Sequence, residues 1–217
     1  MKIVTLNAGQ SKNIEIGGIT MTATAAQYTP SSVKREPING IHHLAFGTKC
    51  SKYTYEFYAE KLGMPLVRTE NHRQKEGYFK HYFFDMGRDQ YMAFFEIHNV
   101  GENDEYRTDV STGLGMPVWV NHVAFDVGSK ENLDIMQKRC EDNGVGPLRS
   151  VDHGWCQSIY MVDPNMIMVE FTYTNNQDKF FDQTPEEAYD LLFNTAPEDI
   201  KEETSKHSKK VSAEGDT

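Results

Sequence analysis

Two stretches of this 217-residue chain repeat one pattern, and a fold must accommodate both copies. The first opens on Ile41-His42-His43-Leu44-Ala45-Phe46, the second on Val120-Asn121-His122-Val123-Ala124-Phe125. Each closes on an apolar run with a glutamate inside it, Phe94-Phe95-Glu96-Ile97 and Met168-Val169-Glu170-Phe171. His43 precedes Glu96 by 53 positions and His122 precedes Glu170 by 48. Side chains alternate across a strand, so His43 shares a face with Ala45 and Gly47, and His122 shares one with Ala124. Bulky Leu44, Phe46, Val123 and Phe125 then pack inward, and small neighbours leave room beside the imidazoles. Both glutamates are expected on the face opposite the packed one. A carboxylate buried in a strand requires a cation, a metal or a proton. A duplicated His and Glu therefore reads as a buried metal site, and hence as an enzyme.

Between these landmarks the copies share an order of elements. After His43, the positions Tyr55, Tyr58, Ala59 and Leu62 predict an amphipathic helix over 51–62, stopped by Gly63. Strands are expected at 64–68, 78–86 and 90–97. After His122, Leu133, Met136 and Cys140 mark a helix over 129–142 ending at Asn143-Gly144, followed by strands at 146–150, 156–162 and 166–173. Each copy is thus βαβββ. The expected boundaries are 38–100 and 118–175, with 101–117 as a linker. Residues 1–37 form an N-terminal extension in which Gly17-Gly18 joins two short strands as a hairpin. Residues 176–217 form a C-terminal helix, from Thr184-Pro185-Glu186-Glu187 to about Phe193, and then a disordered tail beyond Pro197.

A net charge of −10 argues against a nucleic-acid backbone as partner. No run is long and apolar enough for a membrane span, the N-terminus has no signal-peptide pattern, and three cysteines (Cys50, Cys140, Cys156) lack metal-motif spacing. These point to a cytoplasmic protein. His72, His81, His98 and His207 have no partner at ligand spacing and are expected on the surface or in loops. Trp119 and Trp155 are placed either against the site or in the core, and Tyr82-Phe83-Phe84 with Phe94-Phe95 in the core.

Over residues 38–175 the sequence resembles the vicinal oxygen chelate superfamily, which includes glyoxalase I, extradiol dioxygenases, epimerases and antibiotic-resistance proteins. The resemblance implies an α+β fold in which two βαβββ modules form a cupped, partly open, barrel-like sheet of eight strands. It places a divalent metal on His43, His122 and Glu170, with Glu96 as a candidate fourth ligand. The segment Asp152-His153-Gly154-Trp155-Cys156 through Tyr160 to Asp163-Pro164-Asn165 resembles the catalytic segment of extradiol dioxygenases, where a tyrosine precedes the ligating glutamate by ten residues, as Tyr160 precedes Glu170 here. His153 would be the acid–base residue and Tyr160 the contact to a substrate oxygen. Two imidazoles and one carboxylate suit Fe(II), with O2 and a catechol-like small molecule as substrates. Met166 stands where such a turn often continues with glycine. If Glu96 also binds, the pattern becomes that of glyoxalase I, with Ni or Zn (Mn is a further candidate) and proton-shuttling isomerase or epimerase chemistry. Metal-free drug binding is the third reading. Homodimers are common in the family.

Overall fold

The computed structural model describes residues 37–102, 105–180 and 182–200, and the backbone of Ser11–Ile16, Ile19–Thr24 and Lys206–His207. The chain divides into two compact units, residues 1–38 with 181–202 and residues 39–180 with 203–217.

In the first unit, β1 (Ser11–Ile16) and β2 (Ile19–Thr24) pair antiparallel with Ile16 opposite Ile19, which is hairpin register. The residues of the expected Gly-Gly turn lie outside the described set. A helix, α3 (Pro185–Asn194), begins at Thr184, whose side chain accepts from Glu187 N–H while the Glu187 carboxylate accepts from Thr184 N–H. This reciprocal cap satisfies two orphan donors.

The second unit holds both modules. In the first, β3 (His43–Thr48), β4 (Leu66–Gln74), β5 (Gly77–Gly87) and β6 (Gln90–His98) form a sheet in the order β3-β6-β5-β4. In the second, β7 (His122–Asp126), β8 (Arg149–Asp152), β9 (Cys156–Val162) and β10 (Met168–Thr174) repeat it as β7-β10-β9-β8. The first and last strands of each module run parallel and all other pairs antiparallel. No ladder joins the two sheets among the described residues, so the cup is not closed into a barrel. Where a disordered tail was expected, Lys206–His207 pairs with β8 as β11, and Pro197–Asp199 makes a single 3-10 turn; the rest of the tail lies outside the described residues.

The helices cover one face of each sheet. In the second module, α2 (Lys130–Asp142) is capped by the Ser129 hydroxyl and buries Leu133 and Cys140. In the first, α1 (Ser51–Tyr55) widens into a π-type turn over Glu56–Lys61. That widening rotates the inward stripe, so Thr54, Phe57, Tyr58 and Leu62 are buried while Tyr55, expected inside, is 40% exposed. Gly63 follows with φ +81, and a Cβ there would sit 2.8 Å from the Arg139 guanidinium carbon. Arg139 uses that space to donate to the carbonyls of Lys61 and Glu60, tying α2 to the first module.

One apolar cluster runs through both modules. Tyr58 stacks on Phe84 and leans on Phe94, and the cluster continues through Val169, Phe171, Ile159 and Met161. Phe84 and Phe94 are fully buried and each contributes about 2–3 kcal/mol of apolar burial. The aromatic run splits by parity: Tyr82, Phe84 and Phe94 enter the core, whereas Phe83 and Phe95 are half-buried on the other face, with Phe79. A polar bridge also crosses between modules: Tyr58 Oη donates to Asp163 Oδ2 (3.0 Å) and Asn165 Nδ2 to Thr54 Oγ1 (3.2 Å).

Candidate functional site

Strand register decides which glutamate accompanies which histidine. On β10, Glu170 pairs with Ala124, two residues beyond His122, so His122 and Glu170 project from the same face. Their atoms meet, with His122 Nε2 3.2 Å from Glu170 Oε2. Glu170 is 5% exposed, whereas the His122 side chain is 39% exposed.

The first module differs. Its β6 pairs His43 with Tyr91 and Ala45 with Ala93, so Ala93 is the counterpart of Glu170. Glu96 pairs with Thr48 and therefore lies on the packed face, opposite His43. The expectation that both carboxylates share the open face is corrected accordingly. Glu96 caps α1 by accepting from Ser51 N–H (2.7 Å), and it also bonds Lys80 (3.0 Å) and His98 (2.8 Å). Burial works to raise its pKa, but the Ser51, His98 and Lys80 donors together outweigh that and hold it at about 2. This carboxylate is fully compensated by protein groups.

His43 stands on the first sheet, with its Nδ1 2.8 Å from His42 Nδ1 and its ring beside Phe83. It is not brought into a cluster with His122 and Glu170. Of the other histidines, His72 is exposed as expected, while His81 and His98 are half-buried on strands. His81 stacks on Phe95 with centroids 3.7 Å apart, its Nε2 is buried without a hydrogen bond, and burial lowers its pKa. His98 stacks on Tyr78 as well as bonding Glu96, and His72 bonds Glu70.

Around Glu170 the second sheet supplies a polar wall. Ser158 Oγ donates to Glu170 Oε1 at 2.5 Å and lies 2.9 Å from Thr172 Oγ1. Tyr160 is the direct cross-strand neighbour of Glu170, and its hydroxyl lies 2.9 Å from His153 Nε2. Burial first, and then the Glu170 charge, push the Tyr160 pKa well up, so its hydroxyl keeps its proton through neutral pH. His122, His153 and Tyr160 line a cavity of about 430 Å³ whose remaining walls include Val118, Val162 and Met168. Trp119 also lines it, and its carbonyl faces His122 Nδ1 at 2.8 Å. Trp155 lies near His153. Cys156, which spacing did not single out, is gathered here: ligating atoms of His153, Cys156 and Glu170 all lie within 4.8 Å of one another. The signal was parity, since Cys156, Ser158 and Tyr160 alternate onto one face of β9.

The pair of His122 and Glu170 fits a cation. A carbonyl only accepts, so Nδ1 facing Trp119 O carries a proton, and Nε2 is left to face the carboxylate oxygen. Two acceptors at 3.2 Å need a proton or a metal ion between them. Orientation of the far nitrogen by a backbone carbonyl is the usual support of a metal-ligating histidine.

Two βαβββ modules, with an imidazole–carboxylate pair on the open face of one sheet, define the class of fold. Residues 40–171 match the Glyoxalase/Bleomycin resistance protein/Dioxygenase superfamily, and the chain belongs to that family. Solved structures similar to it include the fosfomycin resistance protein FosX from Mesorhizobium loti (20% identity, 67% of this chain and 99% of that one, TM-score 0.45). Others are FosX from Listeria monocytogenes complexed with Mn(II) and 1S,2S-dihydroxypropylphosphonic acid (20%, 65% and 98%, 0.43) and a glyoxalase/bleomycin resistance protein/dioxygenase from Alicyclobacillus acidocaldarius (20%, 66% and 96%, 0.43). No helix among the described residues is long and apolar enough to cross a membrane.

Proposed function

We propose that this chain is a metal-dependent, extradiol-type dioxygenase that takes a small molecule with two adjacent oxygens, such as a catechol, together with O2. The observation carrying this reading is the His153–Tyr160 pair, 2.9 Å apart on the wall of the cavity that also exposes His122. Members of the superfamily are usually metal-dependent enzymes, and the donor set here is nitrogen and oxygen with open positions, which suits Fe(II). His122 and Glu170 would hold the ion, with His43 as third ligand. Bound there, Fe(II) would supply open positions for a catecholate and O2 and the redox chemistry that joins them.

The chain's own groups do the rest. His153 Nε2 accepts a proton from a substrate hydroxyl and can return it to the product. The Tyr160 hydroxyl, protonated at neutral pH, donates to the second substrate oxygen. Val118, Val162 and Met168 seat an apolar ring and keep water from it. Ser158 fixes one oxygen of Glu170, leaving the other directed at His122.

His43 belongs to the other sheet, so the reading includes a homodimer in which a second copy supplies it. The half-buried Phe83 beside His43, with Phe95 and Phe79 further along the same open face of the first sheet, supports such a partner. Three unpaired thiols, Cys50, Cys140 and Cys156, suit a reducing cytoplasm. A glyoxalase-like isomerase would need Glu96 as a ligand, and Glu96 is committed to Ser51, Lys80 and His98.

The test is anaerobic loading of the purified chain with Fe(II), followed by oxygen uptake with a panel of catechols. Uptake with a ring-cleaved product is expected. No uptake with any member, with iron bound and reduced, overturns the reading. Loading with Mn(II) and Ni(II) in parallel separates the isomerase.

A further inference from the structure

Glu170 has claimants on both sides. On one stands His122, at 3.2 Å. On the other stand His153 and Cys156, whose ligating atoms and those of Glu170 lie mutually within 4.8 Å. These two are held by the tight β8–β9 connection. His153 N–H donates to the Cys156 carbonyl at 3.0 Å, and Gly154 N–H to Asp152 Oδ1 at 2.7 Å. Cys156 is 3% exposed and shares the open face with Ser158 and Glu170. One thiol, one imidazole and one carboxylate, with room in the adjoining cavity for a fourth ligand, make up a donor set for a thiophilic divalent ion such as Zn2+.

We infer that His153, Cys156 and Glu170 form a second metal site, selective for zinc-like ions, and that it excludes occupancy of the His122–Glu170 pair because both draw on Glu170. Binding there exchanges the Cys156 thiol proton for the metal and releases that proton to solvent. It also withdraws His153 from Tyr160. Zinc at this site therefore inhibits the chemistry proposed above, and only this consequence rests on that proposal.

The experiment uses the full chain stripped with a chelator and titrated with Co2+ as the spectroscopic substitute for Zn2+. A sulfur-to-cobalt charge-transfer band is expected, lost in Cys156→Ser and retained in His122→Ala. Zn2+ should protect Cys156 from alkylation, read by mass spectrometry, and Cys156→Ser should weaken Zn2+ binding by about ten-fold or more. Cys156→Ala serves in the same role if the serine variant does not fold. Absence of the band in the wild type, its persistence without Cys156, or its loss in His122→Ala overturns the inference. A failure of oxygen uptake leaves the band unaffected, so the two proposals fail separately.

Discussion

The two modules share strand order, pairing and helix placement, yet they treat their glutamates in opposite ways. Glu96 lies on the packed face among Ser51 N–H, Lys80 and His98, which neutralise it within the protein. Glu170 lies on the open face with one oxygen on Ser158 and the other directed at an imidazole. The shared frame thus carries an acidic group open to a ligand in only one module, and Ala93 holds the counterpart position in the other. A glutamate in an apolar strand says that a charge must be compensated; register says by what.

The comparison breaks most sharply if the two carboxylates prove interchangeable. Glu170→Gln or His122→Ala should cut metal affinity by about 100-fold or more and abolish oxygen uptake, whereas Glu96→Gln should leave bound metal, read by elemental analysis, at wild-type level. Mixing His43→Ala chains with His122→Ala chains, each inactive alone, should restore about a quarter of wild-type uptake, because half the dimers are mixed and each carries one intact site. Tyr160→Phe should lower kcat about 10–100-fold with metal content unchanged, measured by oxygen uptake at saturating catechol.

Stability sharpens the contrast from the other side. Glu96→Gln should cost about 1–3 kcal/mol in chemical denaturation, since Lys80 and His98 lose a charged partner. The native carboxyl titrates at about 2, below its usual 4.5, so its stabilisation is complete above about pH 4.5 and is lost as pH falls toward 2. The glutamine variant should show a shallower acid-unfolding slope in that window. The smallest expected effect concerns Met166, a side-chain-bearing residue at φ +64, where Met166→Gly should raise stability by about 1 kcal/mol and leave uptake unchanged.

Much of the fold was legible because parity and helical periodicity are local properties. The βαβββ order, the capped helices and the shared face of His122 and Glu170 all follow from patterns within single elements. The face of Glu96 was misread because it depends on pairing with another strand. Aligning Phe94 with Phe171 by their apolar frame puts Ala93 opposite Glu170 and leaves Glu96 three residues further along, on the packed face. The wide turn at Glu56–Lys61 carries no marker residue, so helical periodicity alone puts Tyr55 inside, where the structure leaves it exposed. His81 gave no signal by spacing, as its environment is made by Phe95 on the adjacent strand. The distance between His43 and Glu170 is a property of assembled sheets, beyond the reach of any linear pattern.

The bonds from Tyr58 to Asp163 and from Asn165 to Thr54 anchor the turn that launches β10. The strand bearing Glu170 is therefore seated by a helix from the opposite half of the duplication. Neither half can be grafted onto another scaffold by itself: the excised second half would lose the struts under its own ligand strand, and substitutions at Thr54 or Tyr58 would be felt in the chemistry they never touch.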